Sequence, residues 1–143
     1  MNETKLFVAM KACIINEKNQ ILIVRESDSY KDGSQVGKWD VPGGRINPDE
    51  TLEEALRREV KEETNLILKS YTLLDVHDTF ANKHNEKWHI VRLFYITKCE
   101  EGIINLSKDH DAYDWVDVDK ITAYPGIIQN MMPTLIKLNE ALS

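Results

Sequence analysis

The segment that most constrains the fold is residues 51–64, a run that contains neither Gly nor Pro. The run is rich in Leu, Glu, Ala, Arg and Lys, which are strong helix formers. Asn65 follows it, and Asn tolerates the left-handed backbone conformation in which many helices end. The sequence therefore predicts a helix over residues 51–64 with its C-terminal cap at Asn65.

One face of this helix combines apolar and acidic side chains. At about 100° per residue, the stripe that would face a core consists of Leu52, Ala55, Leu56 and Val60. Glu59 and Glu63 fall on the same stripe, and Glu62 lies at its margin. The stripe is thus apolar in its first two turns and acidic afterwards.

Acidic residues on a core-facing stripe are unfavourable by themselves. Like charges four residues apart repel by roughly 0.2–0.5 kcal/mol, and burying an unpaired carboxylate costs on the order of several kcal/mol more. A divalent cation would remove both costs, and Mg²⁺ and Mn²⁺ take carboxylate oxygens as ligands. The helix alone leaves a second interpretation open, a solvated acidic face paired with Arg57, Arg58 and Lys61.

The rest of the chain predicts a layered domain. Apolar runs indicate strands over residues 6–15, 21–24, 66–76 and 89–97, with shorter strands at 39–41 and 114–116. The first two would form a hairpin. Apolar residues at helical spacing predict a second helix over residues 131–142, and Pro125 suits a helix start. We interpret residues 1–143 as one α/β domain with a mixed sheet between helices.

Composition narrows the class of partner. The formal net charge of −6 over 143 residues argues against a general nucleic-acid or anionic-membrane binder, since both favour a basic surface. Cys13 and Cys99 lie far apart and form no CxxC motif, so they give no sign of an oxidising compartment. We expect a cytoplasmic protein, monomeric or homodimeric, and a small anionic substrate stays open because a bound metal can reverse the local charge.

The charged pattern around the helix resembles the Nudix box, G-x5-E-x7-R-E-U-x-E-E-x-G-U, in which U is aliphatic. Gly44, Glu50 and the run of residues 58–66, REVKEETNL, match it at every charged position. Asn65 stands where the family has Gly, a change that Asn tolerates at modest cost. The chain is identified as a member of the Nudix hydrolase family, similar to MutT, with the box at residues 44–66.

The resemblance implies a Nudix-type α/β/α sandwich and hydrolysis of a nucleoside diphosphate linked to another group. It implies Mg²⁺ or Mn²⁺ as cofactor. The metal ligands carried over by position are Glu59, Glu62, Glu63 and the Gly43 carbonyl, and the catalytic residues are Glu59, Glu62 and Arg58. Arg58 would orient the carboxylates, and Glu50 would serve the loop that contains the glycines.

Several assignments stay open at this point. Glu59 is the first choice as general base, and Asp109 or Asp111 are alternatives from a later loop. Arg25, Gly44 and Asp109 are candidate substrate-binding residues. The aromatic residues Trp39, Phe80, Trp88 and Tyr113 could stack on a base or simply pack. The loops expected to set specificity are residues 27–38, 79–88 and 107–113.

Three other functions compete with hydrolysis. The first is a non-catalytic Nudix-like domain that senses a nucleotide, although this box has lost no carboxylate. The second is an isomerase of the same fold acting on a prenyl diphosphate, for which the chain looks short. The third is a structural protein whose acidic helix is merely solvated, and it predicts no metal affinity at Glu63.

Overall fold

The computed structural model describes residues 3–30 and 35–143. Seven strands lie within these residues: β1 (Lys5–Ile14), β2 (Gln20–Glu26), β3 (Trp39–Asp40), β4 (Gly43–Arg45), β5 (Leu68–Lys83), β6 (Glu86–Cys99) and β7 (His110–Asp117). The helices are α1 (Leu52–Thr64) and α2 (Met132–Leu142), with short 3₁₀ helices at Val118–Ala123 and Gln129–Met131. No helix in this part of the chain is long and apolar enough to cross a membrane.

The strands form two sheets. The larger has the order β4-β1-β6-β5 and is mixed, because β1 and β6 run parallel while its other pairs are antiparallel. The smaller has the order β3-β2-β7 and is antiparallel. The predicted α/β class with a mixed sheet is confirmed.

The helices cover separate hydrophobic cores. Leu56 and Val60 of α1 pack with Tyr95 of β6 in one core, whereas Leu135 of α2 packs with Phe94 in the other. Phe94 and Tyr95 are consecutive, and consecutive side chains of a strand point to opposite faces. The two helices therefore lie on opposite sides of the larger sheet, which gives the α/β/α layering.

Local signals fix the limits of α1. Thr51 caps its N-terminus through a reciprocal pair of hydrogen bonds with Glu54. Asn65 has a φ of 70°, and its N–H donates to the Lys61 carbonyl at 2.9 Å, which confirms the predicted C-terminal cap. Leu52 differs from the prediction: it is 50% exposed, because it begins the helix at the end that the core does not cover.

Two predictions about strand pairing were wrong. β1 and β2 lie in different sheets and share only an isolated bridge between Ile15 and Ile21. β1 pairs with β6 along one edge and with β4 along the other, so no free edge of β1 remains for a long hairpin with β2. Residues 79–88 are not a loop but the end of the β5–β6 hairpin, which turns at His84 and Asn85 with φ values of 51° and 61°.

The remaining differences concern connections. Pro125 lies in a turn and does not begin a helix. Nearby, Trp39 bridges to Ile127 and holds this segment against the smaller sheet. The predicted helix over residues 131–142 is confirmed within one residue, with Pro133 in its first turn. Part of the predicted loop over residues 27–38, residues 31–34, lies outside the described residues.

Candidate active site

A cleft of about 700 Å³ is lined by residues of both sheets and of α1. One end contains the acidic turns of α1 and the glycines of β4. The other end follows the face that β1, β5 and β6 share and contains aromatic side chains. We call these the acidic end and the aromatic end of the cleft.

Glu59 lies at the base of the acidic end and is only 6% exposed. Its carboxylate rests against Gly44, where a Cβ atom would lie 2.5 Å from Oε2 and 2.7 Å from Oε1. Burial raises the pKa of Glu59 to about 7, and the charges of Glu63 and Glu62 raise it further against the lowering effect of Arg58. Arg58 therefore offsets only part of the cost of burying the Glu59 charge.

Arg58 joins three carboxylates. Its Nε and Nη2 donate to Glu50 at 2.5 and 2.7 Å, and its Nη1 donates to Glu59 at 3.0 Å and Glu62 at 3.1 Å. The hydrogen bonds from Arg58 lower the pKa of Glu50 to about 2. Nη2 also donates to the Arg45 carbonyl at 3.1 Å. Arg58 therefore ties α1 to β4 and fixes one oxygen of Glu59.

Glu63 is fixed from a different part of the chain. It is 7% exposed, and its Oε2 accepts a hydrogen bond from the Ser107 hydroxyl at 3.0 Å. His110 Nδ1 lies 2.7 Å from the same oxygen, although the ring is not oriented for a hydrogen bond to it. Sequence reasoning missed Ser107 and assigned His110 no role, because both contacts depend on tertiary structure.

The three helix carboxylates point to the same end of the cleft but have different partners. Glu62 is the most exposed, with 55% of its side chain accessible. In the described part of the chain, no three His, Cys, Asp or Glu side chains converge into a complete metal cage. The donor set still fits a hard divalent cation, because Glu59 and Glu63 are buried carboxylates and such a cation takes carboxylate oxygens as ligands.

Gly43 also lines the cleft, and its backbone requires glycine. Its φ is +143°, and a Cβ atom there would lie 1.9 Å from the Met10 carbonyl oxygen. A side chain at residue 43 would clash with the backbone of β1, so β4 can pair this closely with β1 only because residue 43 is Gly.

The candidate substrate residues separate into two groups. Gly44 and Asp109 line the cleft. Arg25 does not: its Nε donates to Asp111 at 2.7 Å, and the next residue, Glu26, lines the cleft instead. Consecutive residues of a strand point to opposite faces, so Arg25 and the Asp111 side chain that it contacts lie on the side of β2 away from the cleft.

The aromatic candidates also separate. Phe80 and Trp88 line the cleft, together with Phe7, which sequence reasoning did not single out. Trp39 packs edge-on against Tyr124 at a centroid distance of 5.4 Å and does not line the cleft. Tyr113 is exposed outside it. Lys11, Arg45 and Arg92 are cations of the cleft that the sequence did not reveal, since nothing local marks their face.

This arrangement of loop, helix and carboxylates can be compared with known proteins. A model of the NUDIX domain matches residues 5–135. The chain belongs to the Nudix family. Among solved structures, this Nudix chain is similar to the MutT protein of Methanosarcina mazei Go1, with a TM-score of 0.76 and 26% identity over 100% of this chain and 99% of that one.

Curated Nudix relatives have several named activities. The chain is 34% identical over 101 residues to the 8-oxo-dGDP phosphatase of Mus musculus, which covers 71% of this chain and 28% of that protein. It is 30% identical over 109 residues to the ADP-ribose pyrophosphatase of Methanocaldococcus jannaschii, covering 76% and 60%. It is 32% identical over 118 residues to the nucleoside triphosphatase NudI of Salmonella agona, covering 78% and 82%.

The chain thus matches about 28% of the length of the mouse and human phosphatases. Family membership holds for nearly the whole chain, because the domain model matches residues 5–135. Divalent metals are used generally by hydrolases of this family.

Proposed function

We propose that this Nudix chain hydrolyses a pyrophosphate bond in a nucleoside diphosphate linked to another group. The observation that carries the proposal is the buried Glu59 carboxylate resting against Gly44, with the buried Glu63 one helical turn further on. The names of the relatives, which include a nucleoside triphosphatase and an ADP-ribose pyrophosphatase, support the substrate class.

We further propose Mg²⁺ or Mn²⁺ as the cofactor, held by Glu59, Glu63, Glu62 and the Gly43 carbonyl. When bound, such a cation neutralises charge on the pyrophosphate oxygens and lowers the pKa of a coordinated water. Arg58 holds Oε1 of Glu59 while the whole carboxylate rests against Gly44. Ser107 holds Glu63 in the same way. These positioning contacts reduce the reorganisation needed for catalysis.

The proposed reaction is attack of water at phosphorus, with cleavage of the P–O bond of the bridging oxygen and transfer of the water proton to a carboxylate. Glu59 is the proposed general base, since its buried carboxylate lies at the base of the acidic end, beside the glycines of β4. Asp109, which lines the cleft from the loop before β7, is the alternative.

The test is hydrolysis of a panel of nucleoside triphosphates, nucleoside diphosphates, ADP-ribose and dinucleoside polyphosphates, with identification of both products. We expect turnover with Mg²⁺ or Mn²⁺, none after EDTA, and a loss of orders of magnitude in Glu59→Gln. Glu140→Gln, an exposed change on α2, is the matched control. Nucleotide binding without metal-dependent turnover across the panel would instead support a nucleotide-sensing domain.

The remaining expectations about partners stay predictions of the sequence. They are a small nucleotide partner, no binding of nucleic acid or membranes, a monomer or homodimer, and a cytoplasmic location. Gel filtration with light scattering would measure the oligomeric state.

A further inference from the structure

Arg92 lies in the middle of β6 and lines the cleft together with Arg45 and Arg58. Ala9 of β1 is paired with Arg92 on one side and with Arg45 of β4 on the other. Two inter-strand spacings separate the arginine backbones, which is about 10 Å. Because Arg45 follows Gly44, Arg92 lies about that far across the sheet from the acidic end.

Arg92 has apolar neighbours along its own strand, whereas across the sheet it is paired with His77 of β5. Ile90 and Phe94 precede and follow it on the same face of β6, and the small Ala9 lies beside it. Further along the cleft, Phe7 and Trp88 pack edge to face with ring centroids 4.8 Å apart. Sites for small organic ligands have this character, with apolar walls and few polar groups.

Arg92 differs from Arg58 in its partners. Its Nη1 donates to the Thr79 hydroxyl at 2.7 Å, and no ion pair joins it to a carboxylate in the part of the chain that the structure describes. Burial lowers the pKa of Arg92, with Asp40 giving partial compensation. A half-buried cation of this kind costs stability unless a ligand occupies its remaining donors.

The guanidinium restricts what that ligand can be. It carries N–H donors in a planar fork and no acceptor. Guanine and related 6-oxopurines present acceptors at O6 and N7, whereas adenine has a donating amino group at position 6. Lys11 and Arg45 also line the cleft and supply donors for a phosphate, so the test below separates a base contact from a phosphate contact. The aromatic neighbours favour a base over a phosphate for the same position.

We propose that Arg92 is a specificity-determining residue that reads the acceptor edge of a 6-oxopurine base at the aromatic end of the cleft. The inference rests on the proposed function for the nucleotide itself and adds the class of base. Thr79 positions the guanidinium, and the distance to the acidic end allows the sugar and phosphates to lie between base and carboxylates.

The test measures binding rather than turnover. GMP, IMP and AMP are titrated calorimetrically into the full chain with Mg²⁺ present. We expect GMP and IMP to bind more tightly than AMP, and Arg92→Met to weaken GMP binding roughly 5- to 150-fold while AMP binding is unchanged. Arg92→Lys keeps the charge but loses the fork, so it should not restore the GMP affinity.

Lys98→Met removes an exposed cation from the same strand outside the cleft and is the matched control. Circular dichroism and melting curves establish that each variant is folded, and Arg92→Lys carries the test if Arg92→Met is not. Equal affinities of the wild-type protein for GMP and AMP would overturn the proposal. So would an equal loss for both nucleotides that Arg92→Lys restores, because that result identifies a phosphate contact.

The two proposals can fail separately. A GMP preference that depends on Arg92, without hydrolysis of any diphosphate derivative, would refute the enzymatic activity and leave the base reading in place. Metal-dependent hydrolysis with equal kcat/KM for guanine and adenine nucleotides would support the enzymatic activity and refute the reading of the base by Arg92.

Discussion

The Glu59 carboxylate occupies the space beside Gly44 that a side chain would otherwise fill. A Cβ atom at Gly44 would lie 2.5 Å from Oε2 and 2.7 Å from Oε1 of Glu59. These distances are well inside van der Waals contact, so the loop and the helix approach each other only because residue 44 is Gly. The carboxylate is held from its other side by Arg58 at 3.0 Å.

Gly44→Ala should therefore weaken metal binding without unfolding the protein. The added methyl group displaces the Glu59 carboxylate from its position, and misplacing a group that supports a metal site typically costs about 10- to 100-fold in affinity. Titration with Mn²⁺, followed by electron paramagnetic resonance, measures the change. Gly102→Ala is the control, since its Cβ would make only ordinary contacts, the nearest with the Leu66 side chain at 3.4 Å. Unchanged Mn²⁺ affinity in Gly44→Ala would contradict the assigned site.

Glu59→Gln should stabilise the metal-free protein near pH 8. Burial raises the pKa of Glu59 from 4.5 to about 7, which means that the folded state favours the neutral carboxyl group. The folded protein is therefore most stable below pH 4.5 with respect to this group, and it loses that stability as the pH rises through 7 and the buried group becomes charged. The shift corresponds to about 3 kcal/mol, which Gln does not lose because it has no charge to bury. Added Mg²⁺ should reverse the order of stability.

Urea denaturation at pH 5 and pH 8, with and without Mg²⁺, measures this effect. Glu140→Gln, on an exposed position of α2, should change stability little at either pH. If Glu59→Gln lowers the free energy of unfolding at pH 8 without metal, the carboxylate is satisfied by protein groups alone and the metal assignment loses its physical basis.

Arg58→Lys should loosen the acidic end although it keeps the charge. A lysine cannot reproduce the two hydrogen bonds to Glu50 together with the bond to Glu59. We expect the pKa of Glu50 to rise from about 2 toward its ordinary value, and Mn²⁺ affinity to fall about 10- to 100-fold. A carboxyl NMR titration measures the first effect.

The control for this prediction is Arg57→Lys, because Arg57 pairs with Glu53 at an exposed position of the same helix. Its effect on Mn²⁺ affinity should be negligible. Equal effects of the two substitutions would mean that Arg58 contributes only general helix charge.

Asp75 should make stability depend on acid. Burial alone would raise its pKa, but hydrogen bonds from Lys137 at 2.8 Å and Thr134 at 2.7 Å outweigh burial and lower it. A lowered pKa gives stability above the ordinary value of 3.8 that is lost as the pH falls through the folded value. Asp75→Asn should cost about 1–3 kcal/mol at pH 7 and progressively less as the pH falls through the folded pKa of Asp75.

Denaturation in urea at pH 7 and below pH 3 measures the difference, with the exposed Asp119→Asn as control. The same loss at both values would show that Asp75 holds α2 to β5 through its shape and not through its charge.

Short-range spacing in the sequence predicts α1 and the acidic stripe. The cap residues, the helix formers and the positions of Glu59 and Glu63 all depend on contacts within one or two turns, so they can be derived without knowing the fold. Leu56 and Val60 are buried as predicted, together with the two carboxylates. The Asn65 cap is likewise local, because it requires only a backbone φ that Asn tolerates.

Pairing of distant segments decided the rest. Glu63 meets Ser107 across 44 residues of sequence, and Arg92 faces the cleft only through the register of β6 with β1. Arg25 lies on the face of β2 opposite to Glu26, which lines the cleft, and pairs with Asp111 across 86 residues of sequence. In a strand, a shift of one residue exchanges the two faces, and no local pattern of polar residues fixes that shift. The sequence by itself thus determined the helix and its carboxylates, whereas tertiary structure decided which side chains face them.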